Sequence, residues 1–334
     1  MKLPVPMDAA SDTPAASGAP HPRLVFEPFG LEVACIGLGR AHLRDLTARW
    51  CCTLDDGPGS AAKFELRFVS NGDRPDPFPS IRTRLHEEQF GPWRTTIRPG
   101  IGCDDVACAT QSAATPGDFF RAVDLCVTHL LALQGGTMLH GAAVEIGGTG
   151  VLAVGYSGSG KSTLAAAALA ARGIVVSDDL LLAGKLPSGE ISLATMRRAM
   201  VLREAGFQTL SENLREVLKP FDIKGKKRWQ LLQQDVPSAF TEWIDPRHLW
   251  LVSVDRRLGA SRVEGVDQAA ALAWLIRGTT DRFLSGTFPR ERDAQLQILK
   301  TLAEACPAYR IRLGRDLLAR PAATLDHLLS ASVG

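Results

Sequence analysis

Between residues 23 and 115 the chain carries short runs in which apolar and polar residues alternate: LVFEPFGLEVACIG, KFELRFV and WRTTIRPG. Phe64-Glu65-Leu66-Arg67-Phe68-Val69 repeats with period two, the pattern of half-buried strands. Turn-forming clusters separate the runs, DDGPGS at 55–60 and SNGDRPDPFP at 70–79. This predicts a small β-rich domain over residues 23–116, with one helix near 40–50. The stretch before it, residues 1–22, is rich in Pro, Ala and Ser and reads as a disordered tail. From 117 to 134 the period changes. Phe119, Val123, Val127, Leu130 and Leu131 fall near one helical face, Asp118 suits an N-cap, and Gly135-Gly136 suits a stop. This helix is expected to open a second domain, residues 117–334.

Two β-like runs follow, TMLHGAAVEI and VLAVG, joined by GGTG, and predict a hairpin or tight β–β connection. KSTLAAAALAARG has the alanine content of a helix, with Gly173 as the natural residue just past its end. IVVSDD is then a β-branched strand ended by two acids. Farther on, HLWLVSVDRR reads as a buried strand. DQAAALAWLIRGT and RERDAQLQILKTLAEAC read as amphipathic helices, with Trp274 and Leu275 in their core.

Composition narrows the class without naming it. Apolar residues make up 45% of 334 and charged residues 22%, ordinary for a globular chain. A net charge of +2 argues against nucleic-acid binding driven by bulk charge. The 7 cysteines form no CxxC pair, which disfavours a zinc cluster or disulfide framework. They read as buried, inert thiols, with the Cys51–Cys52 pair the one redox candidate. The N-terminus lacks a basic region followed by an apolar one, and no apolar run reaches membrane-span length. The expectation is a cytoplasmic protein with neither membrane nor nucleic-acid partner.

The chemistry concentrates in Gly155-Tyr156-Ser157-Gly158-Ser159-Gly160-Lys161-Ser162, which matches G-x-x-x-x-G-K-[ST] and is followed by Thr163. Glycines let successive N–H groups turn toward one anion, and the helix that follows offers its N-terminus to the same phosphates. Lys161 can reach the β- and γ-phosphates of ATP, and the Ser162 hydroxyl can ligate Mg²⁺. The bland alternative is a glycine-rich turn between strand and helix. Asp178 and Asp179 end the next strand. They can share two jobs, metal ligation and acceptance of the attacking hydroxyl's proton. Ser162 and Asp179 are the expected metal ligands, although spacing does not divide the two jobs between the two acids. Glu204 is a candidate second metal carboxylate, and Lys219, Lys224, Lys226, Lys227 and Arg228 form a basic patch suited to phosphates or an acidic segment.

The run 139–179, LHGAAVEIGGTGVLAVGYSGSGKSTLAAAALAARGIVVSDD, resembles the C-terminal catalytic domain of HPr kinase/phosphorylase. The likeness lies in His140-Gly141, Gly155–Ser162, Arg172-Gly173 and Asp178-Asp179 at matching spacing. More weakly, the chain to about residue 330 is similar to HPr-kinase-related proteins of bacterial peptide-modification clusters, such as lasso-peptide pathways. The resemblance implies an α/β fold: a P-loop kinase core like the nucleotide domain of phosphoenolpyruvate carboxykinase, behind the small β-rich domain. It implies that His140, Lys161, Ser162, Asp178 and Asp179 form the active site, with one Asp as proton acceptor. It also implies a serine hydroxyl as acceptor and a homo-oligomer. Two departures limit it. Thr163 stands where the bifunctional enzymes usually have Glu, and their E-I-R-G-L-G signature survives at best as LREAGF at 202–207, so the reverse reaction is not implied. The N-terminal domain has no counterpart in the HPr enzymes, so HPr is not implied as substrate.

Other nucleotide-dependent classes fit less well. The L-S-G-G-Q signature of transport ATPases and the N-K-x-D base reader of GTPases are both missing. The reading is an ATP- and Mg²⁺-dependent serine kinase acting on a peptide or small protein. The alternatives are a small-molecule P-loop kinase and a nucleotide-binding ATPase or regulatory protein.

Overall fold

The computed structural model describes residues 22–26, 29, 31–36, 43–44, 46–47, 52–55, 64–70, 86–90, 93–98, 104–110, 131, 135–186, 188–223, 225–279 and 289–332. The predicted tail at 1–21, most of the helix at 117–134, and the turn clusters beyond Asp55 and Ser70 lie outside them. The chain forms two compact units. Their main division falls after Gln134, where the sequence reading placed it after residue 116.

The first unit is built on a seven-stranded mixed sheet. Its strands are β1 (Arg23–Phe26), β2 (Leu31–Ile36), β3 (Thr53–Asp55), β4 (Phe64–Ser70), β5 (His86–Phe90), β6 (Trp93–Arg98) and β7 (Asp104–Thr110). Their order is β3-β1-β2-β4-β7-β6-β5. The pairs β2/β4 and β4/β7 are parallel; the others are antiparallel. Leu24, Phe26, Val33 and Cys35 alternate into the interior, as a period-two pattern requires. Arg23 pairs with Asp55 across β1 and β3. Residues 43–44 and 46–47 are helical with Leu43 and Leu46 buried, at the place where the sequence predicts one helix. Cys35 and Cys52 are buried and form no disulfide with each other, and burial is the main cause that pushes the Cys35 thiol up to about 12, as expected of an inert thiol. Cys51 lies outside the described residues.

The second unit opens with β8 (Thr137–Ile146) and β9 (Thr149–Val154), an antiparallel hairpin. Gly147 and Gly148 both take positive φ, the turn that a two-residue hairpin loop favours. Helix α1 (Lys161–Ala170), β10 (Ile174–Ser177), β11 (Leu180–Lys185) and β12 (Ile191–Thr195) follow. A three-stranded antiparallel sheet comes next, β13 (Ala199–Leu202), β14 (Lys219–Ile223) and β15 (Lys226–Leu232), with α2 (Glu204–Thr209) and α3 (Glu212–Glu216) between its first two strands. The chain then adds β16 (Trp243–Ile244), β17 (His248–Val254), β18 (Arg262–Val266), α4 (Gln268–Thr279), α5 (Pro289–Ala305), β19 (Ala308–Leu313), α6 (Asp316–Ala319) and α7 (Pro321–Ala331).

The main sheet runs β16-β12-β11-β8-β9-β17-β19-β18, with β10 also on β8. Its centre is parallel, β9 to β17 to β19, and its flanks are antiparallel. The unit is thus a mixed α/β structure with helices on both faces. Strand residues divide between two cores by parity. Val151 and Ala153 of β9, with Trp250 and Val252 of β17, face a core shared with α1 and α7. Leu152, Val154, Leu249 and Leu251 face the core shared with α4 and α5. A strand buried on both faces needs no polar residue, and VLAV and LWLV have none. Helix α1 is apolar all round because Leu164 through Leu169 are all buried.

Helix α1 ends one residue earlier than the sequence suggests. Arg172, not Gly173, takes the left-handed conformation, at φ 61°. The N–H groups of Arg172 and Gly173 donate to the carbonyls of Leu169 (3.0 Å) and Ala168 (2.7 Å), a complete Schellman closure. Gly173 is needed for space instead: a Cβ there would meet the carbonyl oxygen of Glu145 at 2.5 Å. Gly173→Ala is therefore expected to destabilise the fold by about 1–3 kcal/mol through overpacking against β8. Arg172→Gly is expected to stay within about 1 kcal/mol of wild type, because relief of left-handed strain offsets the added chain entropy. Urea unfolding of the two variants separates these outcomes.

Candidate functional site

The glycine-rich loop 155–160 leaves the end of β9 and enters α1. Two of its glycines are dictated by space. A Cβ on Gly155 would meet the Val252 carbonyl oxygen at 2.5 Å, and one on Gly160 would meet Val254 Cγ2 at 2.7 Å. Gly160 also sits at φ 100°, which L side chains rarely adopt, and serves as N-cap with no side-chain bond. The helix start is therefore bare amide, which favours an anion. Within the loop, Ser159 N–H donates to the Tyr156 carbonyl (3.0 Å) and Leu164 N–H to that of Gly160 (2.8 Å). Ser157 and Gly158 are exposed at the outer turn, and Thr163 is half-buried one residue beyond Ser162. Ser159 Oγ is buried and meets no hydrogen-bond partner among the described residues. Lys161 is buried, and its Nζ donates to the carbonyls of Gly155 (2.6 Å) and Tyr156 (3.1 Å). The ammonium thus lies inside the curl of the loop.

The acids reach this loop through β8, which changes partner midway. Residues Ala143–Glu145 pair with β10, and Thr137–His140 pair with β11. Asp178 and Asp179 occupy the bend between those two strands. Gly141 N–H donates to the Asp179 carbonyl (3.0 Å), and Ser177 Oγ ties the bend by donating to the Leu180 carbonyl (2.9 Å) and accepting from Asp179 N–H (3.3 Å). On its other edge Gly141 lies opposite Val154, the last residue before the loop. One strand, β8, therefore stands between the acids and the strand that carries the glycine-rich loop, a separation of two strand spacings or ~10 Å.

The two carboxyls have different surroundings. Asp178 is 5% exposed, accepts from the Ser162 hydroxyl and from Val201 N–H, and lies within the field of Arg197. Burial first, and the Asp179 charge second, push its acid up to about 7, against the lowering pull of those hydrogen bonds. The Asp179 side chain is 38% exposed. Its Oδ1 lies 2.9 Å from His140 Nδ1, and its Oδ2 accepts from Arg197 Nη1 at 3.4 Å. The carboxyl against Ser162 is thus Asp178; the sequence named Asp179 beside Ser162 as a metal ligand and left the roles of the two acids undivided. Glu204 is not part of the group: it is exposed at the start of α2 and accepts from Gln208 Nε2 at 2.7 Å.

Arg197 was missed in the sequence. It enters because β12 runs back along β11, Thr195 opposite Leu181, and returns the chain to the level of the acids. No local motif marks it. Lys219, Lys226, Lys227 and Arg228 of the basic patch lie on the β14–β15 hairpin, where Lys219 Nζ pairs with Asp235 at 3.2 Å and Lys227 Nζ sits 5.0 Å from the Trp229 ring centroid, and Lys224 lies outside the described residues. Leu275 is core as expected, and Trp274 is half-buried against Tyr156.

Among the described residues no group of three or more His, Cys, Asp or Glu side chains is arranged around a cation. Mg²⁺ commonly takes one or two carboxylates and completes its shell with phosphate oxygens and water. Ser162 and Asp178 fit that donor set, since a buried carboxyl on a serine hydroxyl offers hard oxygens beside the loop.

No protein-family model matches the chain, nor does any curated protein sequence. Among solved structures, the Hpr(Ser) kinase/phosphatase from Coxiella burnetii matches across 59% of this chain and 99% of its own, with 12% identity and a TM-score of 0.29. No described helix is long and apolar enough to cross a membrane.

The raised acid of Asp178 sets a pH dependence. Below about pH 4 both folded and unfolded chains hold this proton; between pH 4 and 7 the folded chain holds more, so stability falls as pH rises through that window. In EDTA, the loss attributable to this group is expected to reach on the order of 1–4 kcal/mol by pH 8. Asp178→Asn is expected to flatten that slope and to be more stable than wild type at pH 8. Unfolding free energies from pH 4 to 8 for both proteins check it.

Proposed function

We propose that the chain is an ATP-dependent kinase that transfers the γ-phosphate to a serine hydroxyl of a peptide or small protein. The observation that supports this most directly is the division of the acid pair: Asp178 is buried on Ser162, and Asp179 stands half-exposed beside His140 and Arg197. Loop amides and Lys161 would hold the triphosphate. Mg²⁺, held by Ser162 and Asp178, would supply charge neutralisation at the phosphates. Asp179 is open to an approaching hydroxyl and takes its proton, with His140 and Arg197 fixing the carboxylate's direction. The serine oxygen bonds to the γ-phosphorus as the bond to the β–γ bridging oxygen breaks, and ADP carries away that electron pair. No covalent phosphoenzyme is needed. The serine acceptor and the peptide class rest on the resemblance of residues 139–179 described above. A cytoplasmic site of action and a homo-oligomeric state belong to the same reading.

The test is transfer of label from γ-labelled ATP to a serine-bearing peptide encoded beside the gene. Transfer is expected to require Mg²⁺. It is expected to fall ~10²–10⁴-fold in Asp179→Asn, the range for loss of a positioned base. Lys161→Ala is expected to lose nucleotide binding. Native transfer rates in both Asp178→Asn and Asp179→Asn would overturn the mechanism. Release of labelled phosphate to water alone would replace the kinase with an ATPase.

A further inference from the structure

Tyr156 stands in the phosphate loop with 55% of its surface exposed, among the most exposed large apolar side chains in the second unit. It is nevertheless held. Its ring lies 5.4 Å from that of Trp274, tilted by 51°, and its hydroxyl accepts from Arg277 Nη1 at 3.4 Å. Trp274 and Arg277 are three residues apart on α4, so both project from one helical face. Trp274 also packs into the core shared by α4 and the sheet, which anchors that face. One helix thus makes two contacts with a single loop residue.

The backbone of the same residue marks one end of the phosphate site. Lys161 Nζ donates to the carbonyls of Gly155 and Tyr156, and in loops of this pattern the lysine serves the β- and γ-phosphates. Two cations therefore contact Tyr156 at opposite ends, Lys161 at its carbonyl and Arg277 at its phenol. Arg197, by contrast, is matched by the carboxylate of Asp179. A guanidinium carries five N–H donors in a planar fork suited to phosphate oxygens, and the phenol engages Nη1 alone among the described residues.

Resting on the reading of 155–163 as a nucleotide site, we propose that Arg277 binds the terminal phosphate of the bound nucleoside triphosphate, with Tyr156 and Trp274 as the positioning pair that holds it over the loop. Arg277 is a reader of the γ-phosphate, supplied by the chain's own α4. It separates triphosphate from diphosphate states.

The experiment is calorimetric titration of the full chain with Mg²⁺ and either ADP or the β,γ-imido analogue of ATP. Wild type is expected to prefer the analogue. Arg277→Ala is expected to weaken the analogue ~10–100-fold, the worth of a charge-assisted hydrogen bond, and to leave ADP within ~2-fold. Arg277→Lys is expected to recover part of the loss, since a point charge replaces the fork. Trp274 gives a second readout: its fluorescence is expected to change with the analogue and not with ADP, a difference absent from Trp274→Phe. An unchanged analogue-to-ADP ratio in Arg277→Ala, or an equal loss for both nucleotides, overturns the proposal while leaving the nucleotide site standing. Failure of wild type to bind either nucleotide overturns both.

Discussion

One backbone hydrogen bond, from Gly141 N–H to the Asp179 carbonyl, joins the two halves of the site. It forms where β8 gives up β10 as a neighbour and takes β11. A strand can serve two partners along one edge only if the incoming chain bends at the handover, and Asp178 and Asp179 are that bend. The opposite edge of Gly141 faces Val154, where β9 becomes the phosphate loop. The loop amides and the paired carboxylates are thereby fixed relative to each other by sheet hydrogen bonding and not by flexible side chains. Gly141 also has little room for a side chain: a Cβ would stand 3.1 Å from the Ala153 carbonyl oxygen.

Adjacent carboxylates repel, so the arrangement must treat them unequally. Burial and the neighbour's charge keep the proton on Asp178 to near neutrality, while Asp179 has an imidazole and a guanidinium beside it and access to water. The same two residue types thus offer a dry oxygen beside Ser162 and a wetter one facing outward. Lys161 is held by loop carbonyls, a polar arrangement that keeps a buried ammonium hydrogen-bonded.

The sequence made legible whatever depends on neighbours in the chain. The glycine-rich loop, the Ala-rich helix, the hairpin before them and the strand ending in acids all appear where their patterns put them. Features created by strand pairing were not legible. Arg197 arrives by the return of β12, and Trp274 and Arg277 meet Tyr156 from a helix more than a hundred positions away. The pairing of Ser162 with Asp178 over Asp179 depends on which way the bend turns, and two identical residues side by side carry no signal of that. The end of α1 was misread for a related reason. A glycine suggests a left-handed residue, but here the glycine answers to a carbonyl on β8, and arginine absorbs the turn. Glu204 was offered only by its place in the remnant of the family signature, and at the start of α2 it is exposed and bonded to Gln208.

The amide that Val201 gives to Asp178 comes from the small three-stranded sheet, not from the strands that carry the acids. Behind it, Gly206 of α2 lies close to Ala166 of α1, where a Cβ would find the alanine methyl at 3.6 Å. One of the hydrogen bonds that Asp178 accepts is therefore supplied by a neighbouring module. The hairpin bearing Lys226, Lys227 and Arg228 belongs to that same module, so one small sheet carries both a basic patch and a donor to the buried acid.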